Sequence, residues 1–130
     1  MVHDRHYSLE EANALRPWVA SRIARLRAAR TRLCQSEAGP DAAADADVTG
    51  GAWPGNEHAS ASLEWNLGIE DLHRLEIVVR DLDQGLVDFP SVIDGEEVYL
   101  CWLVEEPQIT HWHAIDAGFT GRRPLGERKL

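Results

Sequence analysis

The hydrophobic period changes once along this chain, near Ile77, and that change dictates what the chain can fold into. Before it, Ala12, Leu15, Val19, Ile23, Leu26 and Leu33 recur every three or four residues, the spacing that lines up one stripe of a helix. After it, Ile77 to Asp81, Leu86 to Phe89, Val98 to Val104 and Ile109 to Ile115 are β-branched or aromatic runs. Asp83-Gln84-Gly85, Asp94-Gly95 and Glu106-Pro107 separate them, and these residues reverse a chain tightly. The first helix reads as residues 8 to about 36, opened by a capping box of Ser8 and Glu11. Pro17 lies inside it and should bend it or delay its start. A second helix reads as residues 61 to about 75, with Trp65, Ile69, Leu72 and Leu75 on one side, although Gly68 weakens its propensity. The expected fold is α+β: an N-terminal antiparallel helix hairpin packed on a four-stranded antiparallel β-meander.

At 130 residues, 44% apolar and 27% charged, the chain suits one domain with a real core. Residues 37 to about 60 are rich in Ala, Gly, Asp and Pro without periodicity, which reads as a flexible linker or insertion within that domain. A formal charge of −9 repels phosphate backbones, so nucleic acid is not expected as a partner. Arg16, Arg22, Arg25, Arg27, Arg30 and Arg32 crowd the first helix, where the plain reading is a solvated face and the sharper one an anion platform. No apolar run approaches the roughly 20 residues that span a bilayer, and Met1 to Tyr7 carries no signal-like apolar region. Cys34 and Cys101 are the only cysteines. Two isolated cysteines without an export signal read as free thiols in the cytoplasm.

The unusual chemistry gathers between Gly85 and Leu125. If Asp94-Gly95 and Glu106-Pro107 are both two-residue turns, Asp88 faces Cys101, Cys101 faces Trp112, and Trp102 faces His111. One sheet face then holds Phe89, Leu100, Trp102, His111 and His113, and packs on the helices. The other holds Asp88, Tyr99, Cys101, Leu103 and Trp112. His111 and His113 are the candidate metal ligands, with Zn or Fe the ions such ligands suit, though no cofactor is assigned. On these turns Cys101 points away from both histidines, which leaves core packing as their plainer role. Asp88 beside Cys101 disfavours a thiolate, so Cys101 reads as a buried apolar residue rather than a nucleophile. Arg122 and Arg123 after two glycines, with Trp102, are candidates for binding a small anion. Their plainer reading is pairing with surface carboxylates.

The segments RDLDQGLVDFPSVIDGEEVYLCW (80–102) and EEPQITHWHAIDAGFTGRRPL (105–125), with the opening YSLEEANALRP (7–17), resemble the prokaryotic domain-of-unknown-function family 2203. The resemblance covers the chain outside the linker. It implies a small cytoplasmic helix-plus-strand domain and brings no activity. The family pattern places an acidic residue after the second His, where this chain has Ala114.

The functional expectation is therefore a non-catalytic binding or interaction module with no catalytic residues. It would self-associate as a homo-oligomer through Tyr99, Leu103 and Trp112 on the sheet face away from the helices. The alternative is a small metal-dependent or anion-recognising enzyme using His111 and His113 with Arg122 and Arg123.

Overall fold

The structure, a computed structural model, describes residues 1–37 and 53–127. Among these residues two α-helices, α1 (Leu9–Glu37) and α2 (Trp53–Arg74), precede five strands: β1 (Val78–Asp81), β2 (Leu86–Ile93), β3 (Glu96–Leu103), β4 (His111–Ala114) and β5 (Arg123–Pro124). The strands form one antiparallel sheet in the order β1-β2-β3-β4-β5. The fold is α+β. The sheet has five strands rather than four, because the arm after β4 adds Arg123–Pro124 opposite His111 and Trp112. Helix α2 begins at Trp53, ahead of the expected start at residue 61. The rest of the expected linker, residues 38–52, lies outside the described residues.

Helix α1 starts where its capping box dictates. Ser8 N–H donates to Glu11 Oε1 (2.9 Å) and Glu11 N–H to Ser8 Oγ (3.1 Å), so two donors without intrahelical partners are satisfied reciprocally. Pro17 sits within the continuous helix and does not delay its start. Several arginines on α1 bind their own chain. Arg22 pairs with Asp71 (3.3 Å) and Arg32 with Glu64 (3.1 Å) on α2; Arg27 donates to the carbonyls of Leu82 and Asp83 (both 2.9 Å). Gly68, which costs α2 propensity, is where Leu26 approaches: a Cβ there would lie 2.8 Å from Leu26 Cδ2.

The helices cover one sheet face. Val19, Ile23, Leu26 and Leu72 share a core with Val87, Phe89, Leu100, Trp102 and Trp112. The β2–β3 hairpin follows the sequence reading: Ile93 pairs with Glu96, Asp88 with Cys101 and Phe89 with Leu100. Asp94 (φ 54°) and Gly95 (φ 81°) occupy the two left-handed positions of the turn.

The β3–β4 register departs from expectation by one residue. Cys101 pairs with His111, Leu100 with Trp112, and Tyr99 with His113. Glu106-Pro107 is not a two-residue turn but part of a longer loop pinned at several points. Glu106 N–H donates to the Leu103 carbonyl (2.8 Å), its Oε1 accepts from Leu103 N–H (2.9 Å), and its carbonyl accepts from Trp102 Nε1 (2.9 Å). Ile109, buried in the core, donates its N–H to Asn13 Oδ1 on α1 (2.9 Å). A one-residue slip turns every side chain of a strand over. Trp112 therefore joins the core, and His111 and His113 move to the outer face.

Segment 1–7 is latched by two carboxylates. Glu97 accepts from the N–H groups of Val2 (2.7 Å) and His3 (2.9 Å) and from His6 Nε2 (2.7 Å). Glu76 accepts from Asp4 N–H (3.1 Å), Arg5 N–H (2.8 Å) and His3 Nδ1 (3.2 Å). Burial alone would raise the Glu97 carboxyl, but the bonds from His6, His3 and Val2 outweigh it and lower it from 4.5 to about 2. Because the folded value lies below the ordinary one, this contribution is complete above pH 4.5 and disappears as pH falls through 2. Glu97→Gln should speed amide exchange at Val2 and His3 at neutral pH by roughly tenfold, the equivalent of about 1–2 kcal/mol for charge-assisted bonds. Unchanged exchange, measured by NMR, would show that Glu97 is not the latch.

Candidate functional site

On the outer face, three strands bring three different side chains together. Asp88 on β2 is opposite Cys101 on β3, and His113 on β4 is diagonal to Cys101 through its pair with Tyr99. Among the described residues, these are the one group of three His, Cys, Asp or Glu residues whose ligand atoms all lie within 4.8 Å of one another. All three are buried: Cys101 0%, Asp88 1% and His113 2% exposed. Asp88 and His113 border a cleft of about 310 Å³, lined also by Arg80, Leu86, Asp116 and Gly118, with Cys101 behind them.

Each member is held by a fixed neighbour. His113 Nδ1 donates to the Ala114 carbonyl (2.8 Å) and Nε2 donates to Asp88 Oδ2 (3.0 Å), so both ring nitrogens carry protons. The same Oδ2 accepts from Arg80 Nε (2.8 Å). Arg80 is the extra residue of a bulge between Val79 and Asp81 on β1, and bulges re-aim side chains in this way. Its guanidinium also lies 5.0 Å from the Tyr99 ring centre. Arg122 Nε donates to Cys101 Sγ (3.4 Å), and Arg122 Nη2 bonds Glu106. Burial opposes charge on the His113 ring, but hydrogen bonds to Asp88, Cys101 and Ala114 prevail and push its pKa up to about 10. Asp88 Oδ1 is buried and meets no donor among the described residues.

Of the residues singled out from the sequence, the structure gathers some and disperses others. His113 enters the cluster. His111 shares its face but stays outside the group, with Nδ1 2.9 Å from Thr110 Oγ1. Cys101, expected to point away from the histidines, points toward His113. Trp102 is buried in the helix-facing core rather than at a ligand surface. Arg122 and Arg123 diverge, as consecutive residues in an extended arm must. Arg122 turns in toward Cys101, whereas Arg123 lies 5.9 Å from the ring centre of Trp112, so the two do not clasp one anion. The expected interface set is also divided. Trp112 faces the helices, and Tyr99 is buried with its hydroxyl 2.6 Å from His3 Nε2. Only Leu103 remains partly exposed on the outer face.

Arg80 is the site residue that sequence reasoning missed. The available signal was a lone charge in the apolar run Ile77 to Val79, followed by Asp81.

A family model described as "Uncharacterized conserved protein (DUF2203)" matches residues 5–125. No curated protein and no solved structure matches the chain. Among the described residues, no helix is long and apolar enough to cross a membrane.

Asp88→Asn removes the charge that balances His113 and Arg80 while keeping the shape. Breaking a buried pair costs about 3–5 kcal/mol. Because the Arg80 side chain is 43% exposed, solvent screens part of this, and a loss of roughly 2–3 kcal/mol is expected from urea unfolding at neutral pH. A loss below about 0.5 kcal/mol, the size of an ordinary surface change, would mean that Asp88 carries no such pair.

Proposed function

We propose, for a chain that belongs to the DUF2203 family and takes no activity from that membership, that it is a small cytoplasmic binding module. Its working site is the cleft at Asp88, Cys101 and His113. One observation carries the reading: a carboxylate only 1% exposed, bordering an open cleft, with one oxygen that meets no donor among the described residues. Leaving such an acceptor buried and unsatisfied costs about 1–3 kcal/mol, a cost that a ligand supplying a positive or donating group removes. A strained or unsatisfied group beside a cleft is a common mark of a binding site.

The arrangement favours holding a ligand over turning one over. His113 Nδ1 is committed to a backbone carbonyl, Asp88 Oδ2 to Arg80 and Cys101 Sγ to Arg122, so each group is oriented and none is set to shuttle a proton. The two helices, read as an antiparallel hairpin, act as the rigid backing of the sheet. Cys34 and Cys101 as free thiols fit a reducing compartment.

Gly118 borders the cleft, and a Cβ added there meets nothing within 4 Å. Gly118→Trp should therefore place a bulky ring at the cleft with no clash at its Cβ, an unchanged fold being checked by circular dichroism. In a thermal-shift and NMR screen of small polar compounds and divalent ions, binders should perturb Asp88, Cys101 and His113. Their stabilisation, about 2.7 kcal/mol at a hundred times Kd, should vanish in Gly118→Trp. Binders mapping elsewhere, or stabilising the variant equally, would refute the assignment.

A further inference from the structure

The ligand class can be narrowed, on the preceding reading that this cleft is the binding site. We infer that the cleft takes one divalent transition-metal ion of the zinc or iron(II) kind, bound by Asp88, Cys101 Sγ and His113 Nε2, with a fourth position open to the cleft. Carboxylate, thiolate and imidazole together are a borderline-to-soft donor set, which suits these ions and not magnesium or calcium.

The dimensions fit. Metal–ligand bonds of about 2.0–2.3 Å at tetrahedral angles separate donor atoms by roughly 3.3–3.7 Å. The three donors already lie within 4.8 Å of one another, so small side-chain adjustments close the site. The hydrogen-bond partners also fit. His113 Nδ1 is tied to the Ala114 carbonyl, the outer contact that orients a metal-bound imidazole, and Nε2 coordinates once the ion displaces the proton it shares with Asp88. Asp88 has Oδ1 without a partner among the described residues, while Oδ2 stays on Arg80. That orphaned oxygen is an observation independent of the clustering itself, and a cation would satisfy it. Arg122 beside the sulfur orients the third ligand in the same way. Three protein ligands and an adjoining cleft of about 310 Å³ match a site with an open position rather than a closed structural one.

Binding forms three ligand bonds and breaks the Cys101 S–H bond and the Nε2–H bond that His113 directs at Asp88, both protons leaving to solvent; no electron is transferred. His111 takes no part, since it stands outside the group and meets Thr110.

Untagged full-length protein, stripped with chelator and kept anaerobic, should be titrated with Co²⁺ as a spectroscopic probe and then with Zn²⁺ in competition. One Co²⁺ per chain is expected, with thiolate-to-cobalt charge-transfer absorption and the ligand-field bands of a four-coordinate site. Cys101→Ser should abolish the charge-transfer band, and both Cys101→Ser and Asp88→Asn should weaken Zn²⁺ by roughly tenfold or more. His111→Ala should leave spectrum and affinity unchanged. The wild-type spectrum tests the inference even if a ligand variant fails to fold. Absent uptake by folded wild type, or a spectrum lacking charge transfer, overturns the metal assignment, as does uptake unaffected by Cys101→Ser. If other small ligands still map to the cleft, only the metal inference falls; if nothing binds there, both readings fall.

Discussion

The pairing of Cys101 with His111 is the contact from which the whole outer face follows. Side chains alternate along a strand, so this single register decides which residues of β4 meet the helices and which meet Asp88. Shifted by one, Trp112 would leave the core and His113 would enter it, placing an imidazole among Phe89, Leu100 and Trp102 with no carboxylate to balance it. The observed register instead buries the large apolar ring and pairs the ring that can carry charge. It is enforced from α1 and from within the connecting loop. Asn13 on α1 holds the Ile109 amide, and Glu106 binds both its own loop and Trp102. A helix nearly a hundred residues away in sequence thus sets which side of the sheet carries the chemistry.

Burying Asp88, His113 and Cys101 together is expensive in isolation, and the structure offsets it with hydrogen bonds from two arginines. Arg80 reaches Asp88 from the β1 edge, and Arg122 reaches Cys101 from the arm beyond β4. Neither is available as a general anion receptor, because each is engaged with the cluster itself. The same face is closed nearby by segment 1–7, whose His3 meets Tyr99. The latch on that segment explains an otherwise costly backbone. Glu76 adopts a positive φ of 56° at the C-terminus of α2, where Ile77 N–H reaches the Leu72 carbonyl and Glu76 N–H the His73 carbonyl. Glycine usually fills that position. Here a left-handed glutamate is retained, and its carboxylate receives the amides of Asp4 and Arg5.

Much of this was legible in the residues. The change of period at Ile77 separated helices from strands, Ser8 and Glu11 marked the start of α1, and Asp94-Gly95 fixed the β2–β3 register, so the Asp88–Cys101 pair was readable directly. Local turn chemistry sufficed there because a two-residue loop leaves the strands no freedom. Glu106-Pro107 looked equally decisive but was not, since the β3–β4 register is set by tertiary bonds to Asn13 and within the loop, which no local pattern reports. That one slip misplaced Trp112, His111 and His113 together. Arg80 was hidden for a related reason: a bulge has no periodic signature, and only its partner across the sheet reveals it. Arg123–Pro124 is too short to read as a strand at all.

The choice of arginine at both supporting positions has a physical logic that lysine could not reproduce. Each guanidinium uses Nε to hold one atom of the cluster and leaves its remaining plane for a second contact. For Arg80 that contact is the face of Tyr99, and for Arg122 it is the carboxylate of Glu106 and the carbonyl of Cys101. A planar fork anchored twice cannot rotate away, so Asp88 and Cys101 are presented at fixed angles. An ammonium group is a single point charge that would neutralise a neighbour without orienting it. Orientation matters more than neutralisation when three donors from three strands must converge on one point. The paired anchors are therefore better understood as the frame of the site than as its ligand-binding groups.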